Sequence, residues 1–484
     1  MIIHSFVRSE MGLKPVRVEV VLTPGLSQIH ILGMADAVIK ESSRRILSAL
    51  RHQGFRIPPG KQVLVNLHPN YVRKKSQGLD LAIAVGILLE SEQVSSDLFN
   101  FKKDYCYGGL SLKGEVIVPE DLNLLNYEAF EKSVLTGMSP RSYRFTSAQC
   151  ESLSQLSELK ERDGEAHLFD CQAMPINKDM HFEKSMAHLM AMIAHGEHPL
   201  LIAGAAGCGK TTLVEHLATL LTNPPQEAFL QAKKLWSLMG RDLKTRPVVA
   251  PHHSITPMAM IGGGAHLQPG EISLAHSGAL VLDELLEFHP QIQSALREPM
   301  EKGVIYLSRG GQRQVFPAQS LFLATTNLCG CGRFKPGATH RCRCSSLRLR
   351  QYIERLSGPF LDRFAVFHIY DCPNKGESIS LSDIQEKVQK ARLFQAENRK
   401  QKGANHQLSG AQVLATLKAG LTPDFLPHSR SHRRRLSLLR VARSLADLDC
   451  CSKIHQEHLE EAQMWTAQDI YRLERFSQDD FAVR

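Results

Sequence analysis

At 484 residues and 43% hydrophobic content, the chain has room for roughly three domains of ~100–200 residues, with cores that need no covalent staples. No stretch reaches the ~18 apolar residues of a membrane span, and the start "MIIHSFVRSEMGLK" lacks the charged lead and apolar run of a secretory signal, so a cytoplasmic protein without a membrane partner is expected. The net charge of +9 suits an anionic partner, nucleic acid first, and in a reducing compartment the 11 cysteines point to metal before disulfides.

In chain order, "VRVEVVL" and "QIHILG" alternate as half-buried strands, and "DAVIKESSRRILSALRHQG" has helical spacing ending at Gly54. "KQVLVNL" reads as another strand, "LDLAIAVGILLES" as a helix, and "YCYGGLSLKGEVIVP" as a hairpin turning at Lys113 and Gly114. These elements make an α+β domain over residues 1–160. Periodicity weakens next, and a polar linker is expected over 161–182. From 183 the pattern becomes helix, apolar strand "PLLIAG", glycine loop and helix, the opening of a nucleotide-binding core over 183–375. Residues 376–484 are almost continuously helical in pattern.

"GAAGCGKT", from Gly204 to Thr211, fits G-x-x-x-x-G-K-[ST] between a predicted strand and a predicted helix. Gly204, Gly207 and Gly209 let backbone N–H groups curl around phosphates, Lys210 reaches the β- and γ-phosphates, and the Thr211 hydroxyl ligates Mg²⁺. Thr212 is counted with them as a nucleotide contact. The strand in "GALVLDELLEF" ends in Asp283 and Glu284, the pair expected to hold Mg²⁺ and to act as general base. "SLFLATTN" ends at Asn327, placed to orient the attacking water. "LSGPFLDRFAVF" presents Arg363, a permanent cation suited to a neighbouring subunit's γ-phosphate. Each of the last three has a bland alternative as a strand-end or surface residue; the order of parts raises them together.

These residues match the AAA+ ATPases, and "APHHSI", "IGGGAHLQPGEISLAHSGALVLDELLEF", "LREPMEKGVIYLSRG" and "LSGPFLDRF" resemble the magnesium-chelatase-like ComM/YifB family over nearly the whole chain. The resemblance implies an α/β fold: an amino-terminal Lon-protease-like α+β domain, an AAA+ P-loop core with a parallel sheet, and a carboxy-terminal helical lid. It makes Asn327 similar to sensor 1, Arg363 to the arginine finger and Arg433 to sensor 2, with ATP and Mg²⁺ as cofactors. It further implies a homohexameric helicase that drives branch migration during natural transformation, with single-stranded and branched DNA as partners. Departures are Ala205 and Ala206, where relatives often carry Pro-Pro, and the missing Gly-Gln ahead of the loop. The hairpin "GVIYLSRGGQRQVFPAQ" carries Arg309 and Arg313 at its tip, and with the loop around Gly263 it is suited to gripping phosphates in a ring's pore.

Rival readings are a chelatase motor, against which the Lon-like domain counts by the resemblance, and a Lon-type protease. The latter needs a serine nucleophile, and Gly78 stands where it should be. Between Asn327 and Arg363 lies "CGCGRFKPGATHRCRC", an insert over 329–344. Cys329, Cys331, Cys342 and Cys344 supply four soft ligands, the full set for a closed Zn²⁺ site, with His340 a possible substitute for one thiolate. Such a site would brace the motor's subunit interface.

Overall fold

The computed structural model describes residues 1–9, 11–32, 37–69, 77–95, 100, 104–128, 130–165, 170–265, 267–309, 312–334, 342–356, 358–370, 376–401, 403–421 and 431–473. The chain forms two compact units, Met1–Asp170 with Trp236–Asp242, and Cys171–Leu235 with Leu243–Arg484.

The first unit is built on an eight-stranded mixed sheet ordered Lys160–Arg162, Ser147–Cys150, Val134–Gly137, Tyr105–Cys106, Ile2–Ser9, Gly12–Pro24, Lys61–His68 and Ile29–Leu32. Val16, Val18 and Val20 face inward while Arg17 and Glu19 face out, the period-two pattern of a sheet with one buried face. The strand Ile2–Ser9, absent from the sequence reading because "IIHSFVRS" keeps no clean alternation, pairs antiparallel with it. Helix Asp80–Glu90 is apolar all round and correspondingly buried from Asp80 to Leu89. Of the predicted hairpin, only Gly109–Leu110 and Val116–Ile117 pair with each other; Tyr105–Cys106 joins the large sheet instead.

In the second unit five parallel strands run in the order Val248–Val249, Ala279–Leu282, Leu321–Thr326, Leu200–Gly204 and Val366–Tyr370. Their near-continuous apolar runs are what a sheet covered on both faces requires. Helix Lys184–Gly196 packs on this sheet, and its Leu189, Met190 and Ile193 share one core with Val388, Val441 and Leu445 from the carboxy-terminal helices Leu381–Arg399 and His432–Leu448. A buried polar joint crosses the same boundary. Asp447 accepts from Arg399 (2.6 Å), Asn405 (2.7 Å) and Arg443 (2.9 Å), and its Oδ2 lies 3.0 Å from His195 Nε2. Burial alone would raise the Asp447 carboxyl; the bond to His195 and the arginine charges hold it below the ordinary aspartate value. Among the described residues no helix is long and apolar enough to cross a membrane.

Candidate functional site

The strand Leu200–Gly204 delivers the glycine loop at the carboxyl edge of the parallel sheet, where α/β folds bind ligands. Gly207 (φ 76°) and Gly209 (φ 91°) take left-handed conformations closed to most side chains, and helix Lys210–Thr219 starts directly behind them. Lys210 is buried, its ammonium donating to the carbonyls of Gly204 (3.1 Å) and Ala205 (2.8 Å) and to Asn327 Oδ1 (3.1 Å). The predicted sensor therefore touches the predicted phosphate-binding lysine. Thr212 sits in the helix's first turn, its carbonyl 2.9 Å from His216 Nδ1.

Strand register brings the acidic pair to the same edge. Leu282 pairs with Ala324, so Asp283 emerges beside Thr325. The Thr211 hydroxyl donates to Asp283 Oδ1 at 2.9 Å, and the Thr325 hydroxyl donates to the same oxygen. Thr325 Oγ1 in turn accepts the Glu284 N–H at 3.1 Å. Glu284 is exposed and adopts φ 53°, ψ 51°, a left-handed conformation that costs a non-glycine residue about 1–2 kcal/mol and is tolerated where surrounding contacts over-determine it. Thr211 and Asp283 thus present hard oxygens suited to Mg²⁺, and the donor set fits that ion.

Arg363 and Arg433 lie together elsewhere. Val366 pairs with Leu200 and Tyr370 with Gly204, so the segment bearing Arg363 enters the sheet at the edge opposite the glycine loop, separated by about 13 Å of strand at ~3.3 Å per residue. Each guanidinium donates to Glu301 Oε1 at 2.6 Å. The bond to Arg433 and the charge of Arg363 hold the Glu301 carboxyl below its usual value. Its neighbour Arg434 is locked to Asp362 (2.9 Å) and to the Leu361 carbonyl (2.7 Å).

The Sγ atoms of Cys329, Cys331, Cys342 and Cys344 all lie within 4.8 Å of one another. Separations of 3.3 Å for Cys329 and Cys331, 3.7 Å for Cys331 and Cys342, and 3.8 Å for Cys342 and Cys329 approach the ~3.8 Å expected for thiolates ~2.3 Å from a tetrahedral Zn²⁺. The Phe334 N–H donates to Cys329 Sγ at 3.2 Å, and the Arg343 backbone N–H draws the Cys331 thiol down to about 6. Burial pushes the Cys329 thiol up and the Cys342 thiol up to about 12, so it is the spacing of the four sulfurs that fits zinc. His340 lies outside the described residues. The loop rests against the nucleotide site: Ala206 N–H donates to the Gly332 carbonyl at 2.8 Å.

The basic hairpin forms as Val304–Arg309 and Gln312–Pro317, with Arg309 opposite Gln312 and Ser308 opposite Arg313; residues 310 and 311 lie outside the described residues. Arg313 packs over Tyr306, 5.2 Å from its ring centroid. Gly263 sits in the short pairing Gly262–Gly263 with Gln268–Pro269, and a Cβ on Gly262 would lie 3.1 Å from Leu307 Cδ1, so loop and hairpin are neighbours. In the first unit, a Cβ on Gly78 would fall 2.3 Å from the Tyr107 ring, whose hydroxyl bonds Asp121 at 3.0 Å. Tyr107 fills the space that a nucleophile at position 78 would need.

Sequence reasoning missed Thr325 and Glu301. A threonine pair closing an otherwise apolar strand was the signal for the first. For the second it was a carboxylate in the last turn of helix Arg297–Lys302, where the helix dipole disfavours it.

Three family descriptions match along the chain: "Magnesium chelatase, subunit ChlI" over 178–375, "Subunit ChlI of Mg-chelatase" over 18–135 and "Magnesium chelatase, subunit ChlI C-terminal" over 379–465. The chain is 31% identical to the uncharacterized protein YifB of Salmonella typhimurium over 97% of both chains. It is 30% identical to the competence protein ComM of Haemophilus influenzae, covering 94% of this chain and 95% of that one. A shorter similarity, 25% over 43% of this chain and 27% of the other, links it to the DNA replication licensing factor Mcm6 of Drosophila melanogaster.

Proposed function

The chain belongs to the ComM/YifB family of magnesium-chelatase-like AAA+ proteins, a family of ATP hydrolases, and on that premise we propose that it is an ATP-driven DNA translocase working as a homohexameric ring, which promotes branch migration during recombination in natural transformation. The observation that carries the ATPase part is the contact of Lys210 with Asn327 beside the Thr211, Asp283 and Thr325 cluster. Bound MgATP would supply the scissile phosphoryl group and the cation that neutralises its charge. Gly204, Gly207, Gly209 and Thr212 frame the phosphate cradle, and Lys210 places a buried ammonium at its mouth. Thr211 and Asp283 would hold the cation. Glu284, pinned through its N–H, serves as general base, and Asn327 orients the water. Arg363 and Arg433 act on a neighbour's nucleotide.

Support for DNA as the partner comes from the adjacent hairpin and Gly263 loop, where Arg309 and Arg313 offer sequence-independent phosphate contacts. The name of the relative Mcm6, a DNA replication licensing factor, agrees with it. Cys329, Cys331, Cys342 and Cys344 would hold a closed structural Zn²⁺ without a catalytic position.

A chelatase motor is the second reading, and a specific observation favours it: residues 18–135 match a family that itself carries the chelatase name, which removes the amino-terminal domain as an argument against that role. Strand displacement on forks and Holliday junctions, run beside casein degradation and Mg²⁺ insertion into a porphyrin, separates the readings. We expect ATP-dependent displacement and neither of the other activities; displacement absent at all protein concentrations would overturn the translocase.

A further inference from the structure

Glu301 sits where local chemistry disfavours it, closing helix Arg297–Lys302 at the negative end of the dipole. Two arginines from distant segments, 62 and 132 residues away, compensate by converging on one of its oxygens. Two cationic forks around a single anionic oxygen is also the arrangement a phosphoryl oxygen would receive. The arginines cannot serve their own glycine loop, because the Arg363 segment enters at the opposite edge of the sheet. They are also mechanically joined. Arg434 ties the helix carrying Arg433 to Asp362 and Leu361, the residues preceding Arg363. Arg433 and Glu301 remain 45% and 35% exposed and Arg363 14%, so the shared carboxylate is open to an incoming phosphate from the Arg433 side.

We propose that Glu301 is a positioning residue that holds Arg363 and Arg433 as one pair, presented to the γ-phosphate bound by the adjacent copy in the ring; the inference rests on the ring-ATPase reading above. With the adjacent nucleotide present, the two forks transfer from the carboxylate to the phosphate, so lid and finger sense one anion together. Without Glu301, two like charges at one spot repel, and each arginine samples other rotamers before every turnover.

The test measures steady-state ATP turnover of the assembled full-length protein and, separately, affinity for a fluorescent ATP analogue. Glu301→Gln should lower kcat about tenfold to a hundredfold, the scale of a small misplacement, with nucleotide affinity unchanged. Adding Arg363→Ala to it should slow turnover no further than Arg363→Ala alone. Mixing Glu301→Gln with Lys210→Ala protein should restore turnover above that of either variant, because Lys210→Ala copies present intact arginines to working glycine loops; a folding defect would give no such rescue. Glu301→Gln at wild-type kcat while Arg363→Ala collapses would overturn the role of Glu301 alone. Arg363→Ala at wild-type kcat would overturn the trans-acting ring and this inference with it.

Discussion

Two carboxylates in the second unit are each clamped by arginines, and they differ chiefly in burial. Asp447 has no exposed surface and is saturated by Arg399, Arg443, Asn405 and His195 at the boundary between sheet-flanking and carboxy-terminal helices. Glu301 is 35% exposed and bound by Arg363 and Arg433. A buried pair cannot give up a partner without stranding a charge in a low-dielectric interior, so it acts as a fixed joint. An exposed pair contributes little stability and can trade its carboxylate for another anion, so it can act as a contact that changes during a cycle.

The largest expected effect lies in the site that the exposed clamp is proposed to serve. Lys210→Ala should abolish ATP hydrolysis while circular dichroism and both clamps stay native, because among the described residues the ammonium bonds to loop carbonyls and Asn327 and to neither clamp. The clamps themselves should then separate. Asp447→Ala should cost about 3–5 kcal/mol in urea unfolding, and Glu301→Gln at most about 1 kcal/mol. Equal losses would erase the distinction.

A smaller effect concerns the cysteine loop. Elemental analysis should find one zinc per chain, and chelation should weaken binding of an ATP analogue, because the Gly332 carbonyl that steadies Ala206 belongs to that loop. Gly332→Ala should do the same with zinc retained: a Cβ there would stand 2.9 Å from the Ala206 Cβ at a φ of 69°. Zinc loss without any change in nucleotide affinity would detach the loop from the site.

The smallest effect is one of pH. Burial lowers the pKa of His195 below its ordinary 6.5, although Asp447 opposes the shift. A histidine with a depressed pKa contributes stability that is present above the unfolded value and lost as pH falls through the folded one. The thermal midpoint should therefore decline as pH drops below about 6.5, with His276 and His406, pushed by burial to about 4, continuing the fall. His195→Gln should flatten the upper part of that decline; an unchanged slope would remove His195 from the joint's titration.

Much of the site was legible because its residues are close in sequence or sit at strand ends that one register aligns. Gly204 to Thr211, Asp283, Asn327 and the four cysteines each carry a local pattern that reports chemistry without tertiary knowledge. Thr325, Glu301 and the Asp447 joint were not legible. Apart from Arg443, four residues from Asp447 on the same helix, their partners lie 41 to 252 residues away, and nothing in a single strand or helix reveals which of those side chains will meet them. Elements followed the same division. The period-two run "VRVEV" and the apolar "LLIAG" declared themselves, whereas Ile2–Ser9 became a strand only through its long antiparallel pairing with Gly12–Pro24. The amino-terminal fold likewise hides that Tyr107 occupies the space beside Gly78.

In the proposed motor, hydrolysis at Lys210, Asp283 and Glu284 is coupled to DNA gripped by the hairpin and the Gly263 loop. ATP turnover of the purified full chain, measured over a titration of single-stranded and forked DNA at fixed low salt, tests it most directly. Turnover should rise with DNA to a plateau, and the rise should disappear as salt screens the phosphate contacts. Turnover that stays flat across the titration, with no DNA bound, would contradict it.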